Sequence, residues 1–386
     1  MSNKKVGIVT SYLDFDKNYG GVLQAYALSR QIELLGYDAR IMPYIYEHIP
    51  EDPREKSLFW TVLRALRDRL HPQMRKYAKQ KKLHRVMMKF VNAQMPVYRK
   101  ERIRLRELSE IASDFHAFVC GSDQVWSTRL QQDHCDGGMF LRFVPKGVKK
   151  IGYAPSMGAT VSVRGETGEE IRESLGDFDA VSVREKTGQS LLRELLGKEV
   201  PLVLDPTLLL ERKEWARIAK VPEGLPERYI VVYRFGSVPH TLQTMKEIVK
   251  KTGLPVIELP SSRIAMEDGF HKRFDIDPGD FIGLVKNAAL VLTDSFHATV
   301  FSIVNATPFV SFYRQDPSVP FNMNSRLDDL LAMTGLTHRL CPVGGAVEYE
   351  SLFTVDFAEA HRRIDERRAP SLQYLAEALK GEVAHE

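Results

Sequence analysis

The chain has 386 residues, 44% of them hydrophobic and 27% charged, with a formal net charge of +4. This length exceeds one ordinary domain and fits two, and so small a net charge leaves no whole-chain electrostatic footprint for nucleic acid. The three cysteines, Cys120, Cys135 and Cys341, form no CxxC pair, which argues against a disulfide framework and points to a reducing compartment.

Met1 to Lys5 carries no apolar signal segment and leads into a first strand, Val6 to Thr10. After a polar loop, a helix is predicted from about Val22 to Leu35, stopped by Gly36. Ala39 to Pro43 reads as the second strand. A basic helical insertion occupies about residues 54–106. Within it, from Arg64 to Lys89, Asp68 is the one acid among ten lysines and arginines, and apolar residues from Trp60 to Tyr77 recur at helical spacing. Such a pair suits an anionic lipid surface or a pyrophosphate, although a solvated face over a packed stripe is the simpler reading. Further strands are expected at Ala117 to Cys120, Lys150 to Ala154, Ala180 to Val183 and Leu202 to Leu204, with helices at about 165–175 and 187–196. Pro206, Pro222 and Pro226 place a linker at 206–228, closing a first domain of residues 1–205. A second domain, 229–345, restarts the alternation with strands at Tyr229 to Tyr233, Pro255 to Leu259, Leu290 to Thr293 and Phe309 to Phe312. Its helices include one opened by Asp277 as cap and Pro278 as first residue. The longest mainly apolar stretch, Ala298 to Phe312, is broken by Asn305 and Pro308 and does not read as a membrane span. A helical tail, 346–386, crosses back to the first domain. The whole predicts an α/β fold of two Rossmann-like domains facing across a cleft, with ligands at the carboxyl ends of the strands, in a cytoplasmic protein.

The unusual residues cluster at those strand ends. Asn18-Tyr19-Gly20-Gly21 precedes the first helix; paired glycines let backbone approach a ligand, and a helix N-terminus favours an anion, but a tight turn explains them as well. Gly121-Ser122-Asp123-Gln124-Val125-Trp126 follows a strand and offers polar groups for sugar hydroxyls and a flat ring for a sugar face, or an N-capped turn with a core tryptophan. Ser156 and Gly158, in Tyr153 to Gly158, line the cleft or simply form a turn. Arg184 ends a strand, where it can grip a carboxylate or phosphate, or form a salt bridge. The richest corner is Thr293-Asp294-Ser295-Phe296-His297, a strand-to-helix turn carrying a carboxylate and an imidazole. Asp294, three residues before His297, is positioned to orient it. Asn322 to Arg326 adds a cationic contact or a helix cap, and Asp205-Pro206-Thr207 reads as the close of the first domain. No metal-ligating constellation is present.

Taken in order, NYGGVLQAYAL from Asn18, GSDQVW from Gly121, YAPSMG from Tyr153, SVREKTG from Ser182, LDPTLL from Leu204 and TDSFHATVFS from Thr293 resemble the polysaccharide pyruvyl transferase family. The resemblance implies a GT-B-like two-domain fold and transfer of pyruvate from phosphoenolpyruvate, as co-substrate, to a sugar or lipid-linked oligosaccharide acceptor, usually as a cyclic ketal. It maps the family's histidine onto His297 and its arginine onto Arg184, with Asp294 supporting the histidine. Gly20, Gly21, Ser295, Phe296 and Arg326 are then expected to bind the donor. Asn18, Tyr19, Ser122, Asp123, Gln124, Trp126 and Ser156 are expected to bind the acceptor. No metal or further cofactor and no nucleic acid partner is implied, and the basic region 64–89 is the candidate peripheral membrane contact. Many relatives carry arginine where this chain has Ser295, so Arg184, Arg326 and Arg234 are the candidates for the donor's anion clamp. Two other readings remain open: a nucleotide-sugar glycosyltransferase, with Glu258 holding the ribose, and a sugar-binding protein without turnover.

Overall fold

Short apolar runs buried on both faces build two wholly parallel sheets, as a sheet covered by helices on each side requires. The computed structural model describes residues 4–12, 18–49, 74–128, 131, 135–158, 160, 163–261, 266–319 and 323–381. The first sheet comprises β1 (Lys5–Val9), β2 (Asp38–Ile41), β3 (Ala117–Cys120), β4 (Lys149–Gly152) and β5 (Ala180–Val181), in the order β2-β1-β3-β4-β5. The second comprises β6 (Ile230–Tyr233), β7 (Val256–Glu258), β8 (His271–Lys272), β9 (Leu290–Thr293), β10 (Phe309–Phe312) and β11 (Leu340–Cys341), in the order β11-β10-β9-β6-β7-β8. Registers such as Ile8↔Val119 and Val231↔Val291 align the strand ends, so the loops that follow them gather at one edge of each sheet. The result is the expected α/β architecture of two Rossmann-like units.

Several boundaries differ from the sequence reading. The first helix runs Tyr19–Leu34, because Asn18 caps it by accepting from the Gly20 N–H; Gly20 and Gly21 are thus helical residues of the first turn, not a loop. The expected strand Leu202 to Leu204 is a single bridge, Val183↔Leu202, since the Leu204 N–H turns to Ser371 Oγ and its carbonyl to the Tyr153 hydroxyl. Residues 206–228 carry two packed helices, Pro206–Leu209 and Arg212–Ile218. Trp215 of the second meets Phe301 at 4.8 Å and Tyr26 at 5.9 Å. One apolar core therefore runs through both units.

In the basic insertion, the helix Met74–Gln94 buries Leu83, Met87, Phe90 and Val91 against that core and leaves Lys81, Lys82, Arg85 and Lys89 exposed. The described part of the insertion thus carries an exposed basic face over a packed apolar stripe. Residues 50–73, with Arg64, Arg67 and Arg69, lie outside the described residues. No helix among the described residues is long and apolar enough to cross a membrane.

The tail helix Ala358–Lys380 spans both units. His361 Nε2 meets the Ile303 carbonyl in the second at 2.7 Å, while Ser371 Oγ accepts from Leu204 N in the first and Arg368 Nε donates to the Leu208 carbonyl in the connecting helix Pro206–Leu209, both at 3.0 Å. Those two bonds hold the backbone on either side of Asp205.

Candidate active site

Asp205 caps the helix Pro206–Leu209. Its Oδ1 accepts from Thr207 N at 2.9 Å and Thr207 Oγ1 at 2.6 Å. Its Oδ2 lies 2.5 Å from Arg184 Nη1, 3.2 Å from Ser122 Oγ and 3.8 Å from His297 Nε2. Arg184 in turn serves three carboxylates: Nη2 donates to Asp123 Oδ1 at 3.0 Å, and Nε lies 3.5 Å from Glu185 Oε2. Its side chain is 2% exposed. Burial alone would raise the Asp205 carboxyl, but the Arg184 charge and the nearby His297 hold it well below the usual carboxylate range. Burial likewise opposes ionisation of Asp123, and Arg184, His297 and Arg326 outweigh it. Glu185 differs, since burial pushes it up in spite of Arg184 and Arg326.

His297 comes from the second unit, in the first turn of the helix Phe296–Asn305, whose cap Ser295 accepts from Ala298 N at 3.4 Å. The ring reaches into the first unit and lies on Gly20, where a Cβ would stand 2.2 Å from Nδ1 and 2.4 Å from Cγ. Glycine is required there so that an imidazole from the other unit can reach Asp205. Gly20→Ala is accordingly expected to lower turnover about 10²-fold by displacing the ring. Its stability cost is about 1–3 kcal/mol of overpacking, offset by about 0.8–1 kcal/mol of helix propensity. In the double variant with His297→Ala the ring contacts at Nδ1 and Cγ are gone but the β-carbon of residue 297, 2.7 Å from the new methyl, stays, so thermal unfolding should recover part of the cost relative to His297→Ala alone. Equal turnover in Gly20→Ala and the parent would contradict this role.

A cavity of about 460 Å³ opens between the units. Arg184, Asp205, Phe296 and Arg326 form part of its wall, and Arg363 and Arg367 of the tail helix line it as well. His297 itself does not reach that wall; its neighbour Phe296 and its contact Asp205 do. Lys186 N donates to Asp329 Oδ2 across the units at 2.8 Å.

The other expected residues separate into those near the centre and those that are not. Asp294 does not touch His297. Its carboxylate accepts from Phe235 N at 2.8 Å and Gly236 N at 2.7 Å and faces Arg314 Nε at 3.8 Å, and burial raises it above the ordinary value. The carboxylate beside the imidazole is Asp205, which the sequence reading assigned to closing a domain. Trp126 offers no face to a sugar: it is fully buried, donates from Nε1 to the Met139 carbonyl at 3.1 Å and stacks on Phe140. Trp126→Ala is expected to cost about 3–5 kcal/mol in denaturant unfolding; parental stability would place the ring at the surface instead. Tyr19 is a wedge between the units rather than a sugar contact, donating to the Ile276 carbonyl at 3.1 Å and stacking on Phe281 at 4.8 Å. Asn18 Oδ1 accepts from the Tyr233 hydroxyl as well as from Gly20 N. Ser156 is buried and accepts from Gly158 N, while Gln124 stays partly exposed. Arg234 and Glu258 pair with each other at 3.4 Å, and Glu258 also accepts from Glu267 N. That engagement leaves Glu258 buried rather than open to a ribose.

One residue the motifs passed over is Gln24, whose Nε2 donates to Thr10 Oγ1 and the Gly21 carbonyl while its Oε1 accepts from Ser122 N. It ties the first helix to the Ser122 turn. Gly121, at φ 118, permits that turn because a Cβ would meet the Tyr153 carbonyl at 2.2 Å.

The family described as polysaccharide pyruvyl transferase matches residues 18–316, more than half of the chain and a span that includes Gly20, Arg184, Asp205 and His297. No curated protein matches the chain. Similar solved structures include the UDP-GlcNAc 2-epimerase of Methanocaldococcus jannaschii in complex with UDP-GlcNAc and UDP (12% identity, 94% of this chain and 98% of that one, TM-score 0.47). A putative UDP-N-acetylglucosamine 2-epimerase from Listeria monocytogenes is another (11% identity, 98% and 96%, TM-score 0.49). The E. coli ADP-heptose lps heptosyltransferase II is a third (13% identity, 95% and 99%, TM-score 0.39). By the family match, the chain belongs to the polysaccharide pyruvyl transferase family and is a transferase.

Proposed function

We propose that this transferase moves pyruvate from phosphoenolpyruvate to a sugar of a bacterial surface-polysaccharide precursor and closes it as a ketal. The observation that carries the reading is Asp205 in the wall of an arginine-lined cavity between the units, with the imidazole of His297 3.8 Å behind it. In this mechanism His297 protonates the methylene carbon of the enol, which leaves an oxocarbenium-like centre at the adjacent carbon. A sugar hydroxyl attacks that carbon and returns its proton to the imidazole. The C–O bond to phosphate breaks, and a second hydroxyl closes the ketal as its proton leaves with phosphate. Asp205 supports the imidazolium, and Arg184 fixes Asp205. Gln124 and Asp123, half-buried at the strand end, are the acceptor contacts that stay accessible.

His297 is carried by one unit, while Gly20 and Asp205, which cover it, belong to the other. The proposal needs no metal and no cofactor beyond the co-substrate. The test is phosphate release from phosphoenolpyruvate with a panel of simple and lipid-linked glycosides. Release that depends on the acceptor supports the reading. A folded protein that binds a nucleotide sugar and ignores phosphoenolpyruvate overturns it.

A further inference from the structure

Arg326 stands in the first turn of the helix Ser325–Thr334, with its side chain in the cavity wall and only 6% exposed. A guanidinium carries five N–H donors. Among the described residues, its one hydrogen bond is from Nη2 to Met323 Sδ at 3.6 Å, a weak acceptor, and the buried Nε has none. Among the described residues the carboxylates whose charge it feels, Asp123 and Glu185, make no hydrogen bond with it, and Glu185 Oε2 is itself without one. Asp123 Oδ1 accepts from Arg184, Glu185 Oε1 accepts from Met157 N, and Glu185 Oε2 faces Arg184 Nε. Burial, with the like charges of Arg184 and Arg314, lowers Arg326 to about 10. A buried cation left with unmet donors and like-charged neighbours is unfavourable until an anion joins it. Arg184 cannot take that part, because each of its three nitrogens already faces a carboxylate.

We infer that Arg326 binds the anionic group of the incoming donor, a carboxylate or a phosphate, while Arg184 acts as a positioning residue through Asp205. The inference rests on the proposed donor for the identity of the anion, and on the geometry of Arg326 for the site.

The test compares the full chain with Arg326→Met and Arg326→Lys by calorimetric binding and thermal unfolding. The probes are phosphoenolpyruvate, inorganic phosphate and pyruvate. Phosphoenolpyruvate is expected to bind the parent and raise its Tm. Arg326→Met is expected to lose at least about tenfold in affinity, the loss of one charge-assisted contact, yet to unfold without ligand at the same or a higher temperature, because the uncompensated charge is gone. Arg326→Lys should keep part of the affinity. A phosphate response lost in Arg326→Met assigns the phosphate to this residue, and a pyruvate response lost in it assigns the carboxylate.

Equal affinity of the parent and both variants overturns the inference, as does a parent that binds none of the three probes. A lower Tm of unliganded Arg326→Met also overturns it, since that marks a structural arginine. Should the Met variant fail to fold, unchanged affinity in Arg326→Lys decides against the clamp. Anion binding through Arg326 without pyruvyl transfer keeps the clamp and removes the donor reading. Transfer at unchanged KM in the variants keeps the donor reading and removes the clamp.

Discussion

His297→Ala is expected to abolish pyruvyl transfer, a loss of at least about 10²–10⁴-fold for a missing acid–base group, in a protein that stays folded. Folding survives because the imidazole is not what neutralises Asp205. That carboxylate keeps the guanidinium of Arg184 and the two donors of Thr207. The cost in stability is the packing of one ring against Gly20, and His297 Nε2 makes no hydrogen bond that is lost. Phosphate release and thermal unfolding, measured together, separate the two effects. Turnover within a few fold of the parent would remove His297 from the chemistry, whatever the effect on stability.

Asp205→Asn carries the second large effect, and it falls on both stability and activity. Asparagine keeps the shape and removes the charge, leaving the buried Arg184 with Asp123 and Glu185 alone. Breaking a buried ion pair from one side costs about 3–5 kcal/mol, and the remaining partners place this case near the lower figure. Turnover should fall as well, because the imidazolium loses its counter-charge. The pH dependence has a definite sign. The folded-state value of Asp205 is held below its unfolded value, so folding releases a proton as pH falls into the carboxylate range. The stabilisation is complete above the ordinary carboxylate range and is lost as pH falls through the depressed value. Stability of the parent should therefore decline more steeply on acidification than that of Asp205→Asn, as read by denaturant unfolding across the acid range. Parallel curves would show that Asp205 is not the ionised partner of Arg184.

The layers of the fold were legible because parallel strands must be apolar on both faces and their helices carry their own stops. β1, β3, β6, β9 and β10 all lie where the apolar runs lie. Asp277 and Pro278 open their helix as the residue types require, with Asp277 accepting from Asp280 N. The start of the first helix was not legible, because a glycine pair ordinarily belongs to a turn. What makes Gly20 helical is the Asn18 cap, and what makes it glycine is a ring carried by the other unit.

The site was read in the same uneven way. Arg184 and His297 stand at strand ends and declare themselves by type and place. The partner of the histidine does not, since Asp294 is its neighbour in sequence while Asp205 is its neighbour in space. At the end of β9 the Asp294 side chain turns back to the amides of Phe235 and Gly236, and no local pattern distinguishes that from a turn toward His297. The one local signal at Asp205 was its place as a helix cap ahead of Pro206, which also suits an ordinary boundary. Trp126 shows the same ambiguity: a tryptophan after a polar loop fits a sugar platform or a core, and only the packing of Phe140 and Phe178 around it decides.

The most direct measurement of the central claim is the mass of the product formed from phosphoenolpyruvate and an accepted glycoside in D2O. Proton delivery to the methylene carbon predicts a ketal whose methyl group carries one solvent-derived deuterium, with one phosphate released per product and neither formed by His297→Ala. A product that keeps the carbon–carbon double bond, or a ketal methyl free of solvent deuterium, would contradict it.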